Sequence, residues 1–259
     1  MAAKTAVITG ASSGIGAAIA RKLGSEGWNL VLAARRKKEL ETVAAEAGGR
    51  VLTVVADVTR RGDVERLLAS ALGTFGQVDV WINNAGRGIG KKILEVSEAD
   101  LDEMLAVNLK SVFYGIQVAV PYFQQRGEGH LISVSSFLSR VPLVTFRSAY
   151  SAAKAAVNVL TANLRMDLKL THPRIHVSLL IPGTVKTDFP KNAIGGTPPP
   201  LPGGRTPTPP QTPEEVAEVA RALIEKPKAE VYTNPVSPEM VARYYRDVGA
   251  FEEAMFGGN

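Results

Sequence analysis

Residues 6–16 of the chain read AVITGASSGIG, and this stretch decides the fold. It predicts a short buried strand, a turn containing Gly10, Gly14 and Gly16, and a helix that continues through Leu23. Such a turn lets backbone N–H groups and a helix N-terminus face a phosphate group. The spacing GxxxGxG matches neither the GxGxxG dinucleotide fingerprint nor the phosphate loop GxxxxGK[ST], so a glycine turn without a ligand remains an alternative.

The pattern of strand followed by helix repeats along the chain. Apolar runs are predicted to be strands at residues 28–34, 51–56, 78–82, 130–134 and 174–181, and amphipathic stretches lie between them. Strands that are apolar throughout indicate a parallel sheet covered by helices on both faces, which is an α/β fold. Ligands of such sheets bind beyond the carboxyl ends of the strands, where the sequence places Gly10, Arg35, Asp57 and Asn83.

Two arginines follow the second predicted strand. In a dinucleotide site, an acidic residue about 20 positions past the glycines binds the adenosine ribose, whereas a basic residue suits a 2′-phosphate. Arg35 and Arg36 stand at that point, and a guanidinium matches phosphate oxygens in a fork. The sequence therefore predicts a preference for NADP(H), with Arg35 as first choice and Arg36 as second. The alternative is two solvated charges at the start of a helix over 37–47.

Tyr150 and Lys154 lie four residues apart in a predicted helix over 149–170, so both point to one face. A tyrosine has an ordinary pKa near 10, which a nearby ammonium lowers by favouring the phenolate. Lys154 is therefore expected to make Tyr150 a usable acid or base. The alternative is a core tyrosine beside a solvated lysine, since YxxxK occurs by chance in many helices.

Composition excludes several classes of function. The 259 residues contain no cysteine, so disulfides, thiolate metal sites and thiol catalysis are excluded, and the spacing of His130, His172 and His176 suggests no metal site. The net charge of +5 comes from scattered residues without a long basic run, so we expect no nucleic-acid partner. No signal region and no fully apolar run of 18 residues is evident, so we expect a cytoplasmic protein without a membrane span.

Several of these motifs, taken in order, resemble those of the short-chain dehydrogenases/reductases in their single-domain form. They are TGASSGIG at 9–16, Asp57, NNAG at 83–86, Asn108, Ser136, Tyr150 with Lys154, and Pro182-Gly183, spanning residues 5 to about 190. The resemblance implies a doubly wound, Rossmann-type three-layer sandwich with a mainly parallel seven-stranded sheet, forming one domain over 1–259. Ser136 lies one position farther from the tyrosine than is usual in the family, which a one-residue insertion between Phe137 and Ala149 would explain.

The same resemblance implies the site residues. The catalytic set would be Asn108, Ser136, Tyr150 and Lys154. The pyrophosphate would border Gly10, Ser12, Ser13, Gly14, Ile15 and Gly16, the adenine would border Asp57 and Val58, and the ribose side would border Asn84, Ala85 and Gly86. Pro182, Gly183 and Val185 would lie beside the nicotinamide, with Thr187 near the carboxamide or the phosphates.

The region after the sixth predicted strand is rich in proline and glycine. A loop this long is usually functional or disordered, and we interpret residues 188–212 as a substrate lid, with a disordered loop or a polyproline ligand as alternatives. A helix over 214–225, an edge strand near Val231 and a helical segment over 237–257 are expected to follow. The aromatic and methionine side chains of that last segment suit the core, a subunit interface, the substrate pocket or a membrane surface.

Together these features predict an NADP(H)-dependent oxidoreductase that transfers hydride between the nicotinamide and a small-molecule carbonyl or secondary alcohol. A 3-oxoacyl-carrier-protein reductase is the alternative within enzymes, and a non-catalytic dinucleotide-binding regulator or scaffold is the alternative outside them. The family resemblance also implies a homodimer or homotetramer.

Overall fold

Seven strands form one wholly parallel sheet in the computed structural model, which describes residues 3–196 and 206–256. The order of the strands across the sheet is β3-β2-β1-β4-β5-β6-β7. Their bounds are β1 Thr5–Thr9, β2 Asn29–Ala34, β3 Val51–Val55, β4 Val80–Asn83, β5 Gly129–Val134, β6 Ile175–Ile181 and β7 Glu230–Tyr232.

Helices cover both faces of this sheet. The helices are α1 Gly14–Ser25, α2 Lys37–Ala47, α3 Arg61–Phe75, α4 Glu98–Leu105, α5 Ser111–Arg126, α6 Ser148–Thr171, α7 Pro213–Glu225, α8 Ser237–Arg246 and α9 Val248–Phe256. One apolar core joins the sheet to α1, α2 and α7, and a second joins its other face to α3, α5 and α6. Because both faces are covered, β1 and β2 are buried throughout, and apart from Thr5, Thr9 and Asn29 at their ends they are apolar. The predicted doubly wound, seven-stranded fold is confirmed.

The order of the strands places a crevice beside β1. The chain winds outward from β1 to β2 and β3, then returns to the other side of β1 to form β4. Beyond the carboxyl ends of β1 and β4, the connections leave in opposite directions, and this is where such sheets bind ligands. Gly10 follows β1 and Asn84 follows β4, so the two polar turns meet at this point.

The predicted long helix over 98–126 is divided into two helices by a wider turn. Residues Ala106–Lys110 form a single π-helical turn between α4 and α5, with Asn108 at its centre. Such turns are rare and occur frequently at functional sites. The combined stretch Glu98–Arg126 is long and apolar enough to cross a membrane, but half of its most apolar window is buried within the fold. That burial is typical of a core helix.

The two segments after β6 pack against the rest of the chain. Thr184 and Lys186 exchange backbone hydrogen bonds with Gln211, which joins the two ends of the predicted lid; residues 197–205 of that lid lie outside the described part of the chain. In the C-terminal segment, Tyr244 and Phe251 pack on the residues that follow β5, whereas Tyr245 and Met255 are exposed. Residue 257 of that predicted segment lies outside the described residues.

Candidate active site

The glycine turn is held closed by Asn84. Its side-chain amide nitrogen donates to the carbonyl oxygens of Thr9 at 2.9 Å and Gly10 at 3.2 Å. Gly10 has a φ of +66°, and a Cβ there would lie 2.7 Å from the Cα of Ala85. Glycine is therefore required at position 10 by both conformation and space. Asn84, which the resemblance places on the ribose side, also fastens the turn after β4 to the turn after β1.

The N-terminus of α1 opens into the crevice without an acidic residue in its first turn. Ser13 precedes this helix, and its side chain makes no capping hydrogen bond within the described residues. Instead, the Arg36 guanidinium donates to the hydroxyl oxygens of Ser12 at 3.0 Å and Ser13 at 2.7 Å. Free helix N–H groups, two hydroxyls and a cation form a donor set that suits phosphate oxygens. The residues present therefore fit a dinucleotide.

The turn after β3 is fixed by two carboxylates. Asp57 accepts hydrogen bonds from the backbone N–H and the hydroxyl of Thr59, at 3.0 and 2.7 Å. Its own N–H donates to Asp63 at 2.8 Å, and this bond, together with Arg66, lowers the pKa of the Asp63 carboxyl. Asp57 and Val58 are thereby held beside the crevice.

Ser136, Tyr150 and Lys154 come together at the end of β5. Tyr150 and Lys154 lie on one face of α6, and each side chain is more than nine-tenths buried. Ser136 lies two residues past β5, and its side chain is near enough to the Tyr150 hydroxyl to lower the tyrosine pKa. The neighbouring Ser135 points away, into α6, where its hydroxyl donates to the Asn158 side chain at 2.6 Å. This arrangement brings Ser136, and not Ser135, near the tyrosine.

The electrostatics of Tyr150 differ from the sequence prediction. Burial raises the pKa of Tyr150, and the contributions that lower it come from the Ser136 hydrogen bond and the charge of Arg147. Lys154 does not act as predicted, because its amine lies 6.0 Å from the centre of the tyrosine ring and donates to the carbonyl oxygen of Val134 at 2.8 Å. Burial also lowers the pKa of Lys154 to about 8, so its amine loses a proton more readily than that of an exposed lysine.

Asn108 is fully buried, and its side chain forms two hydrogen bonds with the backbone of Arg87. Its amide oxygen accepts from the Arg87 N–H at 3.1 Å, and its amide nitrogen donates to the Arg87 carbonyl at 3.0 Å. A Cβ on Gly86 would lie 3.0 Å from this amide oxygen and 3.6 Å from the Lys154 amine. Asn108 therefore positions the turn after β4 against Lys154.

The residues after β6 close the crevice from the other side. Phe137 donates its N–H to the Pro182 carbonyl at 2.8 Å, and a Cβ on Gly183 would lie 2.3 Å from the Thr208 hydroxyl oxygen. The Thr187 methyl group lies against the glycine turn, 3.2 Å from where a Cβ of Gly14 would be. The residue that precedes the predicted lid thus packs on the glycine turn.

These elements enclose one cavity of about 820 Å³. Most of the predicted site residues line it, namely Gly10, Ser12, Ser13, Gly14, Ile15, Arg35, Arg36, Asp57, Val58, Asn84, Ala85, Gly86, Ser136, Tyr150, Lys154, Pro182, Gly183, Val185 and Thr187. Two do not. Gly16 packs against Gly10 and the Asn84 amide, where a Cβ would come within 2.6 Å of each, and Asn108 lies behind the Arg87 backbone.

Two cavity residues were not singled out from the sequence. The Phe189 ring lies against Tyr150, with ring centroids 5.5 Å apart, and the Arg147 guanidinium lies 5.5 Å from the Phe189 ring centre. Arg147 stands three positions before Tyr150, which is the spacing of neighbours on a helix face. Its position beside the tyrosine could therefore have been predicted from the sequence. Phe189 lies within the predicted lid, but no local pattern indicated its contact with Tyr150, because the two residues are far apart in the chain.

Comparisons with known proteins agree with this geometry. The short chain dehydrogenase family model matches residues 4–195, and the chain belongs to that family of oxidoreductases, the short-chain dehydrogenases/reductases. An uncharacterized oxidoreductase of Staphylococcus aureus (strain MW2) is 40% identical over 185 residues, covering 71% of this chain and 79% of the relative.

Two solved structures show the same fold with different dinucleotides. A short-chain dehydrogenase/reductase from Burkholderia phymatum in complex with NAD is 28% identical, with a TM-score of 0.84 and coverage of 96% of this chain and 95% of the other. An alcohol dehydrogenase from the archaeon Thermococcus sibiricus complexed with 5-hydroxy-NADP is 33% identical, with a TM-score of 0.76 and coverage of 90% and 97%. Both NAD and NADP are therefore found among similar proteins.

Proposed function

We propose that this protein is an NADP(H)-dependent oxidoreductase that interconverts a carbonyl compound and a secondary alcohol. One observation carries the proposal. Tyr150, which is buried beside Ser136 and lies one helical turn from Lys154, lines the same cavity as the open N-terminus of α1. A proton donor and a phosphate-binding turn thus share one enclosed space. The nicotinamide, when bound, supplies or accepts the hydride.

Each of the four predicted catalytic side chains has its own role in the proposed reaction. Ser136 donates a hydrogen bond to the substrate carbonyl oxygen, and Tyr150 supplies the proton that this oxygen gains on reduction. The high pKa that burial gives Tyr150 keeps it protonated at neutral pH, as a proton donor must be. Lys154 holds a hydroxyl of the nicotinamide ribose, and Asn108 supports the turn around Arg87.

Tyr150→Phe tests this division. Removing the hydroxyl is expected to lower kcat about 10²- to 10⁴-fold, which is the usual contribution of a positioned proton donor, while NADPH binding stays nearly unchanged. Tyr245→Phe is the matched control, because Tyr245 is 61% exposed on α8 and outside the cavity. Steady-state rates followed at the nicotinamide absorbance and fluorescence titration with NADPH measure the two effects. Unchanged turnover in Tyr150→Phe contradicts the proposal.

The preference for NADP(H) rests on Arg35 and Arg36. Both line the cavity, and Arg36 is already held at the glycine turn by two serine hydroxyls. A charge-assisted hydrogen bond is worth about 1.5–3 kcal/mol, so loss of the guanidinium that binds the 2′-phosphate is expected to weaken NADPH about 10- to 100-fold. NADH affinity would change little. Arg35→Gln and Arg36→Gln are compared by titration with Lys38→Gln, an exposed charge on α2.

The two alternatives give different results in the same assays. A 3-oxoacyl-carrier-protein reductase would reduce 3-oxoacyl thioesters far better than simple ketones and aldehydes. A non-catalytic regulator would bind NADPH without turnover of any carbonyl compound. A ketone and aldehyde panel that includes an acetoacetyl thioester therefore separates all three functions.

The assembly and the cellular location belong to the same proposal. We propose a cytoplasmic homodimer or homotetramer, with the single domain of each chain paired through its long helices. Exposed apolar side chains on these helices support pairing, and they include Phe113 on α5 and Val159, Met166 and Leu170 on α6. Light scattering at micromolar concentration tests this, and a monomer would contradict it.

The predicted lid has a corresponding role. We propose that residues 188–212 cover the substrate, because the Phe189 ring packs edge-on against Tyr150, and Asp188, Ala193 and Thr206 also line the cavity. Phe189→Ala is expected to raise KM more than it changes NADPH affinity, since the ring contacts the tyrosine rather than the glycine turn. Equal weakening of both would place Phe189 in cofactor binding instead.

A further inference from the structure

Arg147 is a buried cation that lines the cavity. Its side chain lies immediately before α6, and the residue is 7% exposed. One of its terminal nitrogens, Nη1, is fully buried and has no hydrogen-bond partner among the described residues. No acidic side chain in the described part of the chain forms an ion pair with it. An arginine remains charged at neutral pH, and a buried charge without a partner is costly to the fold.

The other cations of the cavity differ from Arg147 in this respect. Arg87 pairs with Glu103, Lys191 pairs with Asp188, and Lys154 donates to a backbone carbonyl. Arg36 donates to two serine hydroxyls, and Arg35 is exposed at the far end of the cavity, beside Arg36. Arg147 is thus set apart as a buried cavity guanidinium whose inner nitrogen lacks an acceptor within the described residues.

The surroundings of Arg147 are shaped to keep it there. A Cβ on Gly88 would lie 2.0 Å from Nη1, so the absence of a side chain at position 88 makes room for the guanidinium. The Phe189 ring is near both Arg147 and Tyr150, with 5.5 Å from the guanidinium carbon to the Phe189 ring centre and 5.5 Å between the Phe189 and Tyr150 ring centres. The guanidinium carbon of Arg147 is therefore at most about 11 Å from the centre of the Tyr150 ring.

We propose that Arg147 binds a carboxylate of the substrate, so that the enzyme prefers oxo acids and hydroxy acids to neutral carbonyl compounds. A carboxylate accepts hydrogen bonds from a guanidinium, and one bound where Arg147 lines the cavity would supply the negative charge that no acidic side chain of the described residues provides. The short distance to Tyr150 requires the carboxylate and the reacting carbonyl to lie on the same small molecule, separated by a few bonds. This inference rests on the proposed function, because it assigns the substrate class of the same site.

The test compares matched acids and neutral analogues. Oxo acids of four to eight carbons, with the ketone at different distances from the carboxylate, are assayed with NADPH beside their primary amides. For at least one chain length we expect the acid to exceed its amide about tenfold or more in kcat/KM, since a charge-assisted pair is lost in the amide. In Arg147→Gln that preference disappears, mainly through KM, and Arg147→Lys keeps part of it.

Two further variants separate binding from general damage. Gly88→Ala keeps the charge but displaces the guanidinium, and it is expected to lower kcat/KM for the acid more than for the amide. Arg165→Gln removes an equal charge from the same helix, where Arg165 donates only to the Ala229 carbonyl among the described residues, and it should leave the preference unchanged. Melting temperature and NADPH affinity of each variant report whether the fold and the cofactor site are intact.

A second readout does not need turnover. Calorimetric titration of the same oxo acids into the complex with NADP⁺ should give binding in the wild type that is about tenfold weaker in Arg147→Gln. If no carbonyl compound is reduced, the proposed function fails, and this titration alone decides the role of Arg147. No binding of any acid then overturns the inference.

Two other results would overturn the inference while leaving the proposed function intact. The first is equal kcat/KM for acids and amides at every chain length in the wild type. The second is an equal loss for all substrates in Arg147→Gln with a shifted pH profile, which would mean that Arg147 acts on the pKa of Tyr150 rather than on the substrate.

Discussion

Lys154→Met is expected to stabilise the fold while abolishing activity. The Lys154 amine is 3% exposed, and burial lowers its pKa from 10.5 to about 8. That shift corresponds to about 3 kcal/mol lost from the free energy of unfolding at neutral pH, at about 1.4 kcal/mol per pH unit. Loss of the hydrogen bond to the Val134 carbonyl offsets about 1 kcal/mol. The variant should therefore be about 2 kcal/mol more stable than the wild type at pH 7.

The pH dependence of this difference identifies its cause. The folded pKa of Lys154 lies below its unfolded value, so between pH 8 and 10.5 the unfolded chain binds more protons than the folded chain. Wild-type stability therefore rises through this range as far as Lys154 is concerned, and Lys154→Met lacks that rise. The advantage of the variant should be constant below about pH 8 and should shrink as the pH approaches 10.5.

Urea unfolding of the cofactor-free protein at pH 7, 8, 9 and 10 measures the difference. Lys169→Met is the matched control, because Lys169 is an exposed lysine near the end of the same helix. It should change stability little and show no such dependence on pH. A Lys154→Met variant that is less stable than the wild type at pH 7, or whose advantage is the same at pH 10, would refute the reasoning.

Three further predictions follow from buried polar groups and from the glycine turn. Asn108→Ala leaves the backbone N–H and carbonyl of Arg87 without their partners, so urea unfolding should show a loss of about 2 kcal/mol, and no loss would contradict this role. Gly10→Ala places a Cβ 2.7 Å from the Ala85 backbone at a φ of +66°, so it should lower the melting temperature and weaken NADPH in a fluorescence titration; wild-type behaviour would mean that the turn can open. Burial lowers the pKa of His130 from 6.5 to about 3, so as pH falls from 6.5 the unfolded chain takes up a proton that the folded chain does not. Stability should fall by up to about 1.4 kcal/mol per pH unit from this residue, and His130→Gln should show a shallower slope between pH 6.5 and 5; equal slopes would exclude His130 as the cause.

Features of this site that depend on local sequence patterns could be predicted, whereas features that depend on contacts between distant residues could not. The strands, the helices and the glycine turn depend on local patterns of apolar residues and glycines, which a single sequence contains. Because every strand is parallel and followed by a helix or turn, the carboxyl ends had to share one edge, and the position of the cavity followed. The predicted bounds of α2 agree with the structure, and those of α6 differ by one residue at each end, since both helices have a regular apolar spacing.

What depended on contacts between distant residues was decided only by the tertiary structure. Asn84 fastens a turn 74 residues earlier, Asn108 serves a backbone 21 residues away, and Phe189 covers a tyrosine from the other side of β6. The pKa of Tyr150 was misjudged for the same reason, because the spacing of Tyr150 and Lys154 gives neither the depth of burial nor the direction of the ammonium. The sequence by itself determined the fold and the edge of the sheet where ligands bind. Burial and long-range packing decided which charged side chains of the described residues have no ion-pair partner in the cavity, and the proposed preference for acids depends on them.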